Sequence, residues 1–181
     1  ADDITPLNYS PGDLAINTFN LADSLRIIEE SYDAILASGV MPLAMGGDHS
    51  ITLPILRAIA RKHGPVAVIH VDAHADVNDE MFGEKETHGT VFRRAYEEGL
   101  LEADKVYQIG LRGTGYGPDD FKEPQGWGFQ HFLASELWNR SLHNMGAEIR
   151  RDIGARPVYI SYDIDSLDPA FAPGTGTPEI G

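Results

Sequence analysis

The sequence predicts an α/β protein, a three-layer α/β/α sandwich built on a mostly parallel sheet. Three observations carry that expectation. Short apolar, β-branched runs such as Val66-Ala-Val-Ile-His-Val71 alternate along the chain with amphipathic segments of helical spacing. The best of these runs are nearly continuous, as expected of strands buried on both faces. Acidic and histidine-bearing clusters follow the runs directly, and parallel sheets form their sites at the carboxyl ends of strands.

The elements follow in order. Residues Phe19 to Ser38 carry Leu21, Leu25, Ile28, Tyr32, Ile35 and Leu36 at helical spacing, with Asn20 as N-cap and Gly39 as C-cap. The short run Met41-Pro-Leu-Ala-Met45 reads as a strand, ended by the Gly46-Gly47 turn. A helix from about Ser50 to His63 sets Ile51, Ile55, Leu56 and Ile59 on one face and is closed by Gly64. The strand 66–71 follows, then a loop and a short helix near Val91–Glu98. Lys105–Arg112 reads as a strand and Gly128–Leu133 as a weaker one. Ser141 to Gly154 reads as a helix, and 157–162 as the last strand.

Composition narrows the function classes. A chain of 181 residues with 42% hydrophobic residues is long enough to bury a core and is neither disordered nor membrane-like. No apolar run approaches the roughly 20 residues that span a bilayer, and no signal-like amino terminus is present. A net charge of −14 argues against nucleic acid as a partner and favours metal cations or cationic small molecules. The chain has no cysteine, which excludes disulfides and thiolate metal sites and fits a cytoplasmic enzyme.

Three clusters carry the chemistry: Gly46-Gly-Asp-His49-Ser50, Asp72-Ala-His74-Ala-Asp76 and Asp163-Ile-Asp165. In an extended backbone Asp72, His74 and Asp76 share one parity and point the same way, as do Asp163 and Asp165. With His49 they make four carboxylates and two imidazoles, and the four negative charges balance two divalent cations. Oxygen-rich ligation without sulfur suits Mn²⁺. Each piece alone has a plainer reading. Asp48 or Ser50 could simply cap a helix, Asp163 and Asp165 could be turn residues, and a lone Asp-x-His is weak. The conjunction at three predicted strand ends outweighs those readings. His70 shares the parity of Asp72 and reads as a core residue or a support for the ligands; His63, His131 and His143 read as ordinary. Glycines 113, 115 and 117 lack the context of a dinucleotide fingerprint and read as a loop at the mouth of the site. Arg112, at a strand end, reads as structural rather than as a contact for a substrate carboxylate.

Together with Pro173-Gly-Thr-Gly-Thr-Pro-Glu179 and the extended motif Ser161-Tyr-Asp-Ile-Asp165-Ser-Leu-Asp-Pro169, these clusters resemble the ureohydrolase family of arginases and agmatinases. The stretches Phe82–Arg94 and Gln108–Tyr116 look more like the agmatinase and guanidinobutyrase branch than true arginases. The resemblance implies an arginase-like fold, with 1–181 a single domain of that kind, incomplete at both ends. It implies two metal ions, Mn²⁺ or in some relatives Ni²⁺. His49, Asp72, Asp76 and Asp163 would serve one ion; Asp72, His74, Asp163 and Asp165 would serve the other. It also implies His88 as the proton-relaying active-site histidine and Asn78 as a substrate contact. The reaction implied is hydrolysis of a linear guanidino compound, of agmatine or 4-guanidinobutyrate type, to urea and an amine. A homo-oligomer, trimer or hexamer, is implied as well. The family's guanidinium-binding glutamate falls beyond residue 181, and Glu179 is not its counterpart.

Two other classes compete. One is a related metallohydrolase, a formimino hydrolase or a single-zinc deacetylase; the paired Asp163 and Asp165 and the Gly46–Ser50 element count against the deacetylase. The other is a non-catalytic subunit that keeps the site for structure or for a partner enzyme.

Overall fold

A computed structural model describes residues 12–113, 115 and 122–181. Its organising element is the strand β1 (Val66–Val71), whose alternation sends successive side chains to opposite layers. Val66 and Val68 enter one apolar cluster with Leu53 and Leu56 of α2 (Thr52–His63) and with Val91, Phe92 and Ala95 of α3 (Val91–Glu97). Ala67 enters the opposite cluster, with Met145, Ile149 and Ile153 of a helix at Leu142–Ile153. Burying each such side chain contributes about 1.5–3 kcal/mol, so the two faces of one strand fix both helical layers. The predicted three-layer architecture is present.

Among the described residues the sheet has four strands, all parallel. Beside β1 lie β2 (Leu101–Leu111) on one side and, on the other, a strand at Val158–Tyr162; Gln130–Leu133 (β3) flanks β2. The remaining helices are α1 (Leu21–Ala37), α4 (Lys122–Trp127) and α5 (Ala134–Leu137), so that Leu142–Ile153 is α6 and Val158–Tyr162 is β4. The α1 helix packs outside α2 through Ile28, Tyr32 and Leu36 against Ile55 and Ala58. The Asn20 side chain caps it by accepting from the Asp23 N–H at 3.0 Å; the C-cap is Ser38, with Gly39 following in the left-handed region at φ +82°. Among the described residues no helix is long and apolar enough to cross a membrane.

Three departures from the sequence reading matter. Residues 41–45 form no strand, and Met41, Leu43 and Met45 are 82%, 75% and 92% exposed. A strand needs a partner ladder; among the described residues none pairs with this segment, and Pro42 has no N–H to offer. The short helices α4 and α5, at six and four residues, are too brief to show a period in the sequence. The third departure is in the ligand segments themselves. β1 stops at Val71 and β4 at Tyr162, so Asp72–Asp76 lies outside a strand and Asp163, itself extended, leads straight into a 3-10 turn at Ile164–Ser166. Parity is therefore not what gathers these side chains.

Backbone hydrogen bonds continue past the strand ends and place the two acidic segments side by side. The Asp72 N–H donates to the Ile109 carbonyl at 3.0 Å, and the Asp163 N–H to the Val71 carbonyl at 2.9 Å.

Candidate metal centre

What replaces parity is a repeated aspartate turn. Asp72 Oδ1 accepts the His74 N–H at 2.7 Å, Asp163 Oδ1 accepts the Asp165 N–H at 3.0 Å, and Asp48 Oδ1 accepts the Ser50 N–H at 2.9 Å. In each turn one carboxylate oxygen satisfies the backbone two residues on, which curls the chain sharply. At 72 the second oxygen lies between His49 and His70, and at 163 it turns toward His49. At 48 the carboxylate also takes the Ser50 hydroxyl and caps the short 3-10 turn that begins at His49. Cap and ligand readings of this segment thus hold for different residues: Asp48 caps and His49 enters the site.

His49 is delivered by a double-glycine turn. Gly46 and Gly47 sit at φ +91° and +76°, and a Cβ on Gly47 would stand 2.6 Å from Ile51 Cγ2. The His49 ring packs edge-on against Phe92 of α3. Its Nε2 meets Ser161 Oγ of β4 at 2.8 Å, which turns Nδ1 inward. There Nδ1 lies 2.8 Å from Asp76 Oδ2, 3.2 Å from Asp72 Oδ2 and 3.6 Å from Asp163 Oδ2. Asp76 reaches this point from a left-handed backbone at φ +53°, which Asp tolerates better than most residues.

The second imidazole has its own partners. His74 Nδ1 is 3.0 Å from Asp165 Oδ2 and 3.6 Å from Asp72 Oδ1. Close packing here depends on Gly113, whose Cβ would stand 2.4 Å from His74 Cδ2. Asp165 is buried, and its oxygens accept the Ala73 N–H at 3.1 Å and the Thr177 hydroxyl at 2.9 Å. Asp72, almost fully buried, stands between the two imidazoles with one oxygen toward each.

All eight residues singled out in the sequence line one cavity of ≈ 830 Å³: His49, Asp72, His74, Asp76, Asn78, His88, Asp163 and Asp165. His88 opens a 3-10 turn that the Thr87–Thr90 pair caps, so its backbone is held at the wall. The Asn78 N–H donates to the Gly89 carbonyl at 3.0 Å, tying those two wall segments together. Gly113 and Gly115 line the cavity, while Gly117 falls outside the described residues. The charged residues Glu80, Glu84, Lys85 and Glu86 do not line the cavity, although Met81 does. Arg112 is structural: its guanidinium donates to the carbonyls of Gly110, Asp165, Ser166 and Glu179.

Some neighbours went unnoticed in the sequence. Ser161 and Thr177 hold His49 and Asp165, and Glu179 Oε1 comes within 3.4 Å of His74 Nε2. Serine and threonine carry no spacing signal of their own, so only the fold reveals these contacts.

Electrostatics show why the cluster wants cations. Burial opposes protonation of His49, yet the Asp72 and Asp76 carboxylates outweigh it and push the imidazole up to about 10. Asp165 and Asp72 push His74 up to about 10 as well. Burial would raise Asp72, but His70, His49 and His74 around it hold its carboxyl far below the usual range. Asp163 moves the other way, raised by burial and by the charges of Asp72 and Asp165. His49 Nδ1 is buried without an aligned hydrogen bond even though three carboxylates converge on it. A buried imidazole nitrogen ringed by anionic oxygens becomes, once its proton is displaced, the donor set of a divalent cation. Asp72, His74 and Asp165 form a second such group. The residues fit two ions.

A family model described as "Arginase family" matches residues 8–181. The guanidinobutyrase of Pseudomonas aeruginosa is 62% identical over 170 residues, 94% of this chain and 53% of the relative. The mitochondrial agmatinase of Gallus gallus is 56% identical over 169 residues, 93% of this chain and 50% of the relative. A solved structure of a formiminoglutamase variant from Trypanosoma cruzi, with Mn²⁺, superposes at a TM-score of 0.84 and 26% identity, covering 96% of this chain and 58% of that one. The chain spans about half the length of the curated relatives it matches. The two relatives bear the names of the branch that the sequence motifs resemble.

Proposed function

The chain belongs to the arginase family, and on that premise we propose that it is the metal-binding part of a hydrolase that cleaves a linear guanidino compound to urea and an amine. The observation that carries the proposal is the convergence of four aspartates on two imidazoles, His49 buried and His74 half-buried, in the wall of one cavity. His49, Asp72, Asp76 and Asp163 would hold one ion, and Asp72, His74, Asp163 and Asp165 the other. Mn²⁺ is the proposed metal, supported by its presence in the formiminoglutamase structure and by the oxygen-rich donor set, with Ni²⁺ the alternative. When bound, the two cations neutralise the carboxylates and lower the pKa of a water toward neutrality.

The chain's own residues do the remaining work. A guanidinium is resonance-stabilised and loses an amine only if the departing nitrogen is protonated. His88, on the cavity wall, is the proposed relay for that proton, supported by the family resemblance and by its position in the lining. Asn78, on the same wall, offers an amide to the substrate. The cavity walls would hold the guanidinium in place, replacing a bimolecular encounter with a positioned one. A chain of agmatine or 4-guanidinobutyrate length is the proposed substrate, supported by the names of the two relatives. A homo-oligomer in the cytoplasm is proposed with it, on the resemblance alone.

Urea release from the whole protein, loaded with Mn²⁺, tests the reading across agmatine, 4-guanidinobutyrate, 3-guanidinopropionate, arginine and guanidine. Turnover of one of the first two above the rest is the expected result. Two bound metals with no urea from any of them would defeat it and favour a non-catalytic subunit. Ammonia or formamide from a formimino substrate would favour the formimino hydrolase.

A further inference from the structure

One pleat below the carboxylates, a polar row crosses the sheet in register: Ser161 of β4, His70 of β1, Gln108 of β2 and His131 of β3. The same face of β1 and β2 is otherwise apolar, with Val66, Val68 and Val106 fully buried. His70 and Gln108 have no exposure at all, so their polar atoms need internal partners. Gln108 Nε2 lies 2.6 Å from the Ala75 carbonyl and 3.0 Å from His70 Nδ1. Only the amide NH₂ can donate to that carbonyl, so the orientation of Gln108 is forced and its second hydrogen points at Nδ1. An N–H facing Nδ1 requires Nδ1 to accept. The proton of a neutral His70 then sits on Nε2, 2.7 Å from Asp72 Oδ2. The cost of this arrangement is visible, because Gln108 Oε1 is buried without a hydrogen-bond partner.

We propose that His70 is a positioning residue for the metal centre, fixed by Gln108 in the Nε2–H tautomer so that it donates to Asp72. This rests on the metal-centre reading above. Asp72 then carries one N–H on each oxygen, from His74 N on Oδ1 and from His70 on Oδ2. Two donors on opposite oxygens stop the carboxylate from rotating. One lone pair on each oxygen remains, and the two oxygens lie toward different imidazoles, Oδ2 toward His49 and Oδ1 toward His74. The sheet itself, through β2, thereby sets the geometry of a ligand at the end of β1.

Two measurements on the whole protein test this. The first compares Mn²⁺ affinity in His70→Leu, which removes the donor, and His70→Gln, whose amide can place an N–H where Nε2 stood. His70→Leu is expected to weaken binding by roughly 10–100-fold and His70→Gln to recover most of that loss. Equal weakening in both, or none in His70→Leu, overturns the proposal. The second needs no variant: ¹⁵N shifts of the His70 ring in the metal-free wild type. Protonated Nε2 with bare Nδ1 is expected, and a proton on Nδ1 overturns the proposal. If the wild type binds no Mn²⁺, the metal-centre reading has failed, and that outcome is separate from the tautomer result.

Discussion

The ends of β1 and β4 carry the same local device and use it differently. At each, an aspartate closes a turn on the backbone two residues on and turns its other oxygen toward His49. Asp72 is 1% exposed and ringed by three histidines, which hold it ionised. Asp163 is 27% exposed, and its nearby charges are chiefly carboxylates, which together with burial raise it. The Asp72 end is therefore held ionised by its histidines, whereas at the Asp163 end the repulsion between carboxylates is left for the proposed ion to relieve. A ligand set can hold one stabilised carboxylate and one repelled one within a single cavity.

The strongest way to break that comparison is to remove each charge in turn. Asp72→Asn leaves two imidazoles without their shared buried carboxylate, and losing one partner of a buried charge pair costs about 3–5 kcal/mol. Urea release should fall by on the order of 10³-fold, and dialysed protein should hold less than its full metal content. Asp163→Asn should lose affinity by about 10–100-fold while keeping measurable activity at saturating Mn²⁺. Metal analysis beside a urea assay decides it; equal damage from both variants ends the distinction. His88→Ala belongs with neither end. It should retain both ions and lose about 10²–10⁴-fold in turnover, and wild-type turnover would remove His88 from the reaction.

How much of this was legible follows from the kind of signal each feature leaves. The buried strand at 66–71 announces itself because both faces must be apolar; the strand at 158–162 carries the same apolar signal although Val158, Ile160 and Tyr162 are exposed. The residues of the site were legible for a chemical reason: carboxylates and imidazoles in such density need a cation. Their geometry was not. Asp76 at φ +53° and the turns at Asp72 and Asp163 are set by hydrogen bonds that no alternation pattern encodes. The segment 41–45 failed for the converse reason. Its apolar run is real, but pairing depends on a neighbour, and a sequence window cannot supply one. Ser161, Thr177 and Gln108 were invisible because a hydroxyl or an amide acquires meaning only from what it faces.

Titration sharpens the comparison without mutation. His49 and His74 are raised from 6.5 to about 10 in the metal-free fold, so their protonation stabilises that fold fully below about pH 6.5. The contribution is lost as pH climbs through about 10. Denaturant unfolding of chelator-treated protein should therefore show stability falling across that window. Mn²⁺ must displace the same protons, so its uptake near neutral pH should release them and its affinity should rise with pH. Calorimetry in buffers of different ionisation enthalpy measures the release. On the acid side the two aspartates oppose each other: the depressed Asp72 loses its contribution as pH falls, while the raised Asp163 gains one.

The smallest expected effect separates the two ends through their hydroxyl supports. Ser161, from β4, holds His49 Nε2 at 2.8 Å, and Thr177 holds Asp165 Oδ2 at 2.9 Å. Ser161 fixes the orientation of an imidazole whose Nδ1 faces three carboxylates, so Ser161→Ala frees the ring to turn away from all of them. Asp165 keeps the Ala73 N–H and the His74 ring when Thr177 is removed. Ser161→Ala should thus weaken one Mn²⁺ by about 10-fold, the lower bound for loss of such a support, and Thr177→Ala by less. Stepwise Mn²⁺ titration resolves the two. An equal or larger effect from Thr177→Ala would mean that the Asp165 arm, and not the His49 ring, depends more on a single hydroxyl.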